Sequence, residues 1–363
     1  MRLKNKVVVV TGAAAGVGRA AAHRFARAGA KLGLIARDAQ ALEDVRREVE
    51  ELGAAAFCAP ADVSDADKLF AAAAQIEEAL GPIDVWVNDA MATVFSPVWQ
   101  MSPDEFRRVT EVTYLGFVHG TMAALRSMRP RGRGVIVQVG SALAYRGIPL
   151  QSAYCGAKYA IRGFSDSLRT ELRHDRSRIR VSIVELPAVN TPQFDWARTH
   201  MPRQPRPMGE VYEPEAAADA IWMAATWPWR EYWLGRTTIL TIIANTVVPG
   251  FMDRFLARSA YEGQETSLPV SPSRQDNLFR PVNELHRTRG SFQARSGAVL
   301  VPGPVARLGV VAAGAMTFLG AGYAAGRVLG RAGPRHVQRA EAPSPGRRGR
   351  TSARDAKAPA ARR

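Results

Sequence analysis

The sequence predicts an α/β protein built on a doubly wound parallel sheet, and three observations carry that prediction. Short apolar, β-branched runs alternate with stretches of helical periodicity. The first such run, residues 7–10, leads directly into a glycine-rich turn and then a helical pattern over residues 19–28. The first ~250 residues are enough chain to bury one substantial core as a single domain.

About seven strands are expected from the apolar runs. They are residues 7–10, 32–36, 55–59, 85–88, 135–139, 181–186 and, more weakly, 237–242. The first run is followed by the turn TGAAAGVG at residues 11–18. Its small residues let the backbone approach a pyrophosphate, and free N–H groups at the helix N-terminus can bind it. A plain Gly/Ala-rich turn is the alternative.

Ser141, Tyr154 and Lys158 form the second pattern. Ser141 closely follows the strand predicted at 135–139, and Tyr154 and Lys158 lie one helical turn apart. A phenol with a pKa of about 10 is a poor acid or base near neutrality, but a nearby ammonium favours the phenolate. The spacing therefore indicates a proton-transfer site, although a Tyr and Lys pair alone also occurs by chance on a solvated helix.

The two patterns together resemble the short-chain dehydrogenase/reductase family over roughly residues 3–250. The resemblance implies a Rossmann-like fold, a homo-oligomer and hydride transfer between a nicotinamide and a carbonyl or alcohol. Tyr154 would be the acid/base, Ser141 would bind the substrate oxygen, and Lys158 would hold the ribose and lower the pKa of Tyr154. The other positions that match the family's cofactor contacts are Thr11, Gly12, Gly16, Val17, Gly18, Asp62, Val63, Asn88, Ala90, Pro187 and Thr191.

The end of the second strand bears on the choice of cofactor. Arg37 stands where a guanidinium would suit the 2′-phosphate of NADP through charge-assisted hydrogen bonds. Asp38 is better explained as a helix N-cap than as a ribose ligand. The sequence therefore predicts NADP, with NAD as the alternative.

The segment after Thr191 is rich in proline and breaks the alternating pattern. In the family the equivalent loop covers the substrate, so Phe194 and Trp196 are candidate pocket residues, while an ordinary surface loop is the alternative. Three residues depart from the family pattern: Thr113 replaces an asparagine of the proton relay, and Met91 and Ala188 replace glycines. They leave open a cofactor-binding sensor or scaffold without catalysis.

Composition predicts an intracellular setting. Two cysteines, Cys58 and Cys155, offer no disulfide framework, and the N-terminus lacks the apolar core of a signal peptide. We expect a cytoplasmic catalytic domain and no metal site. The formal net charge is +16, but residues 327–363 hold eleven basic and two acidic residues, which gives +9 for this tail alone.

The organisation expected along the chain is a catalytic domain over residues 1–261, a polar linker or docked arm over 262–296, an apolar Gly/Ala-rich segment over 297–326 and a disordered basic tail over 327–363. Residues 308–326 carry no charge and as a helix would span roughly 28 Å. This stretch is a candidate membrane helix, an oligomer-docking helix or a low-complexity tail. The basic tail suits anionic lipid, whereas nucleic acid is not favoured and a solvated tail without a partner is the simplest alternative.

Overall fold

The central strands are apolar and buried on both faces, which is typical of a parallel sheet covered by helices. All five residues of β1 (Val7–Thr11) and all five of β6 (Val135–Val139) are buried. The computed structural model describes residues 3–309 of the 363-residue chain. The strands of the main sheet are β1 (Val7–Thr11), β2 (Lys31–Ala36), β3 (Ala56–Pro60), β4 (Ile83–Asn88), β6 (Val135–Val139), β7 (Arg180–Glu185), β12 (Glu231–Leu234) and β14 (Leu300–Pro302).

Helices join successive strands and cover both faces of this sheet. Two hydrophobic clusters, one on each face, form the core. The helices are α1 (Gly16–Arg27), α2 (Ala39–Glu51), α3 (Ala66–Leu80), α4 (Pro103–Thr110), α5 (Gly116–Met128), α6 (Ser152–His174), α7 (Gln193–Trp196), α8 (Pro214–Thr226), α9 (Arg236–Val247) and α10 (Pro249–Gly263). The strands outside the main sheet are two to five residues long. They are β5 (Val94–Phe95), β8 (Ala188–Val189), β9 (Arg198–Thr199), β10 (Arg203–Pro205), β11 (Val211–Tyr212) and β13 (Glu265–Pro269).

The strand order confirms the doubly wound prediction. The sheet runs β3-β2-β1-β4-β6-β7-β12-β14. Every pair is parallel except the last, β12 with β14, which is antiparallel. The order reverses direction at β1, and the crevice outside the carboxyl ends of β1 and β4 is where such sheets bind ligands.

The weakest predicted strand, residues 237–242, is wrong. These residues belong to helix α9, and the last parallel strand is β12, just before it. The run Thr-Thr-Ile-Leu-Thr-Ile-Ile is β-branched and favours a strand. Gly235, with φ of 80°, turns the chain out of β12, and the buried Thr238 and Ile242 then fall one helical turn apart.

The segment expected to be a polar linker or docked arm packs on the domain at several points. Strand β13 pairs with β10, and the side chain of Leu278 is fully buried in one of the hydrophobic clusters. Strand β14 then extends the main sheet.

Of the predicted apolar segment 297–326, residues 297–309 are described and contain β14. The rest of that segment and the basic tail lie outside the described residues. Among residues 3–309, none of the helices combines the length and the apolar character needed to cross a membrane.

Candidate active site

Ser141, Tyr154 and Lys158 lie together at the carboxyl edge of the sheet. Ser141 lies two residues beyond the end of β6, and Tyr154 and Lys158 are on one face of α6, one turn apart. All three line the same cavity. The spacing predicted from the sequence is therefore realised in space.

The hydroxyl of Tyr154 forms a hydrogen bond with Ser141, whose oxygen also accepts from the N–H of Leu143 at 3.2 Å. Desolvation raises the pKa of Tyr154 above its usual value of 10. The charges of Asp89 and Glu185 act in the same direction, and the hydrogen bond with Ser141 opposes them. The sequence indicated that the ammonium of Lys158 would lower this pKa, whereas in the free protein desolvation is the largest cause of the shift and raises it.

Lys158 is 2% exposed, and its ammonium donates to the carbonyl oxygen of Val139 at 2.6 Å. Its nitrogen lies 4.7 Å from the ring centre of Phe117 and 5.4 Å from that of Tyr154. Burial lowers the pKa of Lys158, while the carboxylates of Asp89 and Glu185 act to raise it. The ammonium has three N–H groups, so the bond to Val139 leaves two for a ligand.

The cavity around these residues has a volume of about 590 Å³ and a mainly apolar lining. Its far wall comes from α9, α10 and the proline-rich loop before them. The larger apolar residues of this wall are Pro207, Met208, Leu240, Met252, Phe255 and Leu256, and the same elements add the polar Arg206, Thr237 and Thr241. Phe194 and Pro187 line this cavity as well, and a contact of Phe194 with substrate stays a prediction.

Trp196 lies elsewhere. Because α7 is a single helical turn, Phe194 and Trp196 project to different sides, and Trp196 lines a second cavity of about 190 Å³. This cavity, here called the nucleotide cleft, lies against the glycine-rich turn. The two cavities share Val17, Asp89, Met91, Thr191 and Gln193 in their linings, so they adjoin.

The glycine-rich turn is packed too closely for side chains. Gly12 has φ of 73°, and a Cβ there would lie 2.9 Å from the Cα of Ala90. A Cβ on Gly18 would clash with the carbonyl oxygen of Gly12. Gly12, Gly16 and Ala90 border the cleft, and their small size lets the backbone lie close to it. This cradle fits the diphosphate of a dinucleotide.

Arg37, Asp38, Asp62 and Val63 border the cleft at the ends of β2 and β3. Asp38 accepts the N–H of Ala41 at 3.0 Å, which confirms it as the N-cap of α2. Burial lowers the pKa of the Arg37 guanidinium. Burial acts to raise the pKa of Asp62, but bonds from Arg108 and Ser64 outweigh it and lower that pKa.

Thr11 and Asn88 do not border the cleft and support it from behind. The oxygen of Thr11 accepts the N–H groups of Asp89 and Ala90 at 3.1 and 3.3 Å. Asn88 is fully buried and donates to Gln138 on β6 at 2.8 Å, which ties β4 to its neighbour. Thr11 therefore holds residues 89 and 90 beside the glycine-rich turn, and Asn88 holds two strands of the sheet together.

Thr113 lies inside a π-helical turn, Glu111–Leu115, between α4 and α5. Its hydroxyl donates to the carbonyl oxygen of Ala92 at 2.9 Å and accepts the N–H of the same residue at 3.0 Å. In this way it fixes the loop that follows β4. π-Helical turns of this kind often occur at functional sites.

Sequence reasoning did not assign a role to two carboxyl groups beside the site, Asp89 and Glu185. Desolvation raises the pKa of Asp89, which faces the charge of Lys158. It also raises the pKa of Glu185 to about 8. Glu185 is fully buried, and its Oε2 accepts the N–H of Ser141 at 2.7 Å. The position of Glu185 at the end of an apolar strand could have indicated its role.

Residues 277–286 also border the nucleotide cleft, which the sequence did not predict. Nothing in their polar composition indicated a ligand site.

A Rossmann-like sheet with two adjoining cavities at its carboxyl edge is the architecture of a short-chain oxidoreductase. The sequence profile of the short chain dehydrogenase family matches residues 6–201. The chain belongs to that family. Its members bind NAD(P), and this protein is accordingly a dehydrogenase or reductase.

Individual relatives and solved structures agree with this assignment. An uncharacterized oxidoreductase of Bacillus subtilis, YxnA, is 31% identical over 302 residues, covering 81% of this chain and 84% of its own length. The 3-dehydrosphinganine reductase of Danio rerio is 30% identical over 61% of this chain and 68% of its own. An alcohol dehydrogenase from the archaeon Thermococcus sibiricus, solved with 5-hydroxy-NADP, has a TM-score of 0.54 at 28% identity, covering 61% and 91% of the two chains. A metagenomic short-chain oxidoreductase in complex with NADP gives the same score and identity over 64% and 97%.

Proposed function

We propose that this protein is an NADP-dependent reductase of bulky, apolar carbonyl compounds. The observation that carries the proposal is the placement of Ser141, Tyr154 and Lys158 on one large apolar cavity that adjoins the nucleotide cleft. Each role assigned here falls within residues 1–261, the proposed catalytic domain.

Tyr154 is the proposed proton donor. Because desolvation raises its pKa, the phenol stays protonated through the neutral range. A protonated phenol can give its proton to an oxygen that gains negative charge, as a reduced carbonyl oxygen does. The direction of the pKa shift therefore supports reduction as the favoured reaction in neutral solution.

A bound reduced nicotinamide supplies the hydride that reaches the carbonyl carbon. As the C=O bond becomes a C–O single bond, the O–H bond of Tyr154 breaks and its proton passes to that oxygen. The hydroxyl of Ser141 donates a hydrogen bond to the same oxygen as charge develops. The ammonium of Lys158 stabilises the resulting phenolate, and its two N–H groups that are free of Val139 are available to the ribose.

Arg37 supports NADP as the cofactor. Its guanidinium borders the nucleotide cleft, and the facing acid Asp38 is engaged as the N-cap of α2. A guanidinium offers five N–H donors and pairs well with a phosphate. The two solved structures with NADP or its derivative are consistent with that choice.

The cavity supports a bulky, apolar substrate. Its volume of about 590 Å³ lies within the range of sites that hold drug-sized ligands. The polar groups of Ser141, Tyr154 and Lys158 share this mainly apolar lining with methionine, leucine and phenylalanine side chains from α9, α10 and the proline-rich loop. A substrate with one carbonyl at the end of an extended apolar body matches this distribution.

Thr113 favours a second candidate, a cofactor-binding sensor without turnover. Both polar functions of its side chain are bonded to Ala92, so its hydroxyl hydrogen is not available to a proton relay. This protein would bind NADPH and change state without reducing a substrate.

The experiment that separates the candidates is NADPH oxidation by the purified full chain against a graded panel of aldehydes and ketones. The panel runs from acetone-sized to steroid-sized and long-chain compounds. We expect kcat/KM to rise with apolar size. Tight NADPH binding with no turnover across the panel would favour the sensor, and activity limited to small polar carbonyls would contradict the substrate class.

A further inference from the structure

Residues 277–292, here called the strap, border the nucleotide cleft, although they lie far along the chain from the cofactor motifs. Five strap residues border the cleft: Asn277, Leu278, Pro281, Val282 and His286. They face the glycine-rich turn and the ends of β2 and β3. The strap therefore forms a wall of the proposed nucleotide site.

The strap is anchored on the side of the cleft formed by β2 and β3. Arg37 donates to the carbonyl oxygens of Asn277 at 2.5 Å and Leu278 at 3.4 Å. Arg108, which also pairs with Asp62, donates to the Leu278 carbonyl at 3.1 Å. The Leu278 side chain itself is fully buried in the core. This first anchor combines charge-assisted hydrogen bonds with apolar burial.

A second anchor holds the strap to the glycine-rich turn. The N–H of Gly16 donates to the carbonyl oxygen of Arg287 at 3.0 Å. Arg19 donates to the carbonyl oxygens of His286 at 2.7 Å and Ala14 at 3.4 Å, so it ties the strap to the turn. The imidazole of His286 lies 3.7 Å from the carboxylate of Asp38.

Beyond this point the strap is fixed to the loop after β8. The N–H of Gly290 donates to the carbonyl oxygen of Asn190 at 3.1 Å, and the N–H of Phe292 donates to the side chain of the same residue at 3.1 Å. A Cβ on Gly290 would lie 2.5 Å from the carbonyl oxygen of Thr191 and 2.9 Å from Oδ1 of Asn190. Only glycine permits this approach.

The two anchors lie on different walls of the cleft, and the nine residues 278–286 connect Asn277 to Arg287. Since the strap is anchored both at the ends of β2 and β3 and at the glycine-rich turn, a nucleotide bound in the cleft would lie beneath it. We propose that the strap closes the nucleotide site. Its anchor on the glycine-rich turn must open before NADP can enter or leave, and the strap therefore slows cofactor exchange. This inference rests on the proposed nucleotide site.

The test uses Gly290→Val in the full chain, because the added side chain forces the strap away from Asn190 and Thr191. Gly297→Val is the matched control, since no atom lies within 4 Å of a Cβ at that position. The dissociation rate of NADPH is measured by stopped-flow fluorescence with excess NADP as competitor. We expect dissociation to be about tenfold faster or more in Gly290→Val than in wild type, which corresponds to about 1.4 kcal/mol. In Gly297→Val we expect it to stay within about twofold of wild type.

A second measurement uses the wild-type protein and does not depend on the variant folding. Trypsin cleavage after Arg287 and Arg289 is followed by mass spectrometry with and without NADPH. We expect bound NADPH to slow cleavage at these two bonds.

Equal dissociation rates in the two variants, or equal cleavage with and without NADPH, would overturn the closure. Tighter NADPH binding in Gly290→Val would also overturn it, because the strap would then block the site. A wild-type protein that binds no NADPH would instead refute the proposed nucleotide site.

Discussion

Replacing Glu185 with glutamine tests the electrostatics of the site through the stability of the fold. The Glu185 carboxyl is fully buried, and the N–H of Ser141 donates to its Oε2 at 2.7 Å. Its Oε1 has no hydrogen-bond partner in the described part of the chain and lies 3.9 Å from Nε of Arg162. Burial, and then the charge of Glu231, raise its pKa to about 8 from an ordinary value of 4.5.

The direction of the pH dependence follows from this shift. A folded-state pKa above the unfolded value means that stability is fully present below 4.5 and is lost as the pH rises toward about 8. The loss is about 1.4 kcal/mol for each pH unit in that window. Between about pH 5 and about pH 7.5 the free energy of unfolding of the wild type therefore falls by about 3 kcal/mol. That of Glu185→Gln does not fall in this way, because an amide does not ionise.

The assay is thermal unfolding of the wild type and Glu185→Gln across that pH range. A shift of about 2 °C per kcal/mol gives a Tm difference that grows by about 6 °C in favour of the variant. Glutamine keeps an acceptor for Ser141, so we expect the two proteins to be close at pH 5. The control is Glu78→Gln on the exposed face of α3, which should not change the pH dependence. Parallel Tm curves for wild type and Glu185→Gln would refute the reasoning, since they would show that Glu185 is already ionised in the folded protein.

Three further predictions concern the cofactor and the proton. Gly18→Ala should abolish NADPH binding, because the added Cβ clashes with the Gly12 carbonyl, whereas Gly163→Ala, where a Cβ meets no atom, should bind normally in the same titration. Arg37→Ala should weaken NADPH far more than NADH in binding titrations, and equal losses would leave Arg37 only its role as an anchor of Asn277. Because the pKa of Tyr154 is raised, alcohol oxidation should rise about tenfold per pH unit through the neutral range in steady-state assays, and a flat profile would contradict a protonated phenol.

The sequence predicted those parts of the protein that local patterns determine. Strand β6 was predicted with both ends correct, because its five buried residues lie between Gly134 and Gly140. Tyr154 and Lys158 were predicted together because one helical turn brings residues four apart onto the same face. The glycine-rich turn before α1 was predicted because only small residues fit at its closely packed positions.

The remainder depends on contacts that the sequence does not reveal. The β-branched run at 237–242 was taken for a strand, and the turn at Gly235 with burial of Thr238 and Ile242 made it helical. The strap offers a single fully buried apolar residue, Leu278, and the two arginines that donate to its carbonyl oxygen, Arg37 and Arg108, lie 241 and 170 residues away along the chain. The pKa of Tyr154 was misjudged because spacing predicts neighbours and does not predict desolvation.

Comparison of Tyr154→Phe with Tyr159→Phe tests the central claim most directly. Tyr159 lies on the same helix with its ring 44% exposed, so its variant controls for the loss of one hydroxyl from α6. NADPH oxidation is measured with the best carbonyl substrate of the panel, and NADPH binding is measured in parallel by fluorescence. The account predicts that Tyr154→Phe loses at least about 100-fold in kcat with NADPH binding within about twofold, while Tyr159→Phe retains its activity. Undiminished turnover by Tyr154→Phe would contradict it.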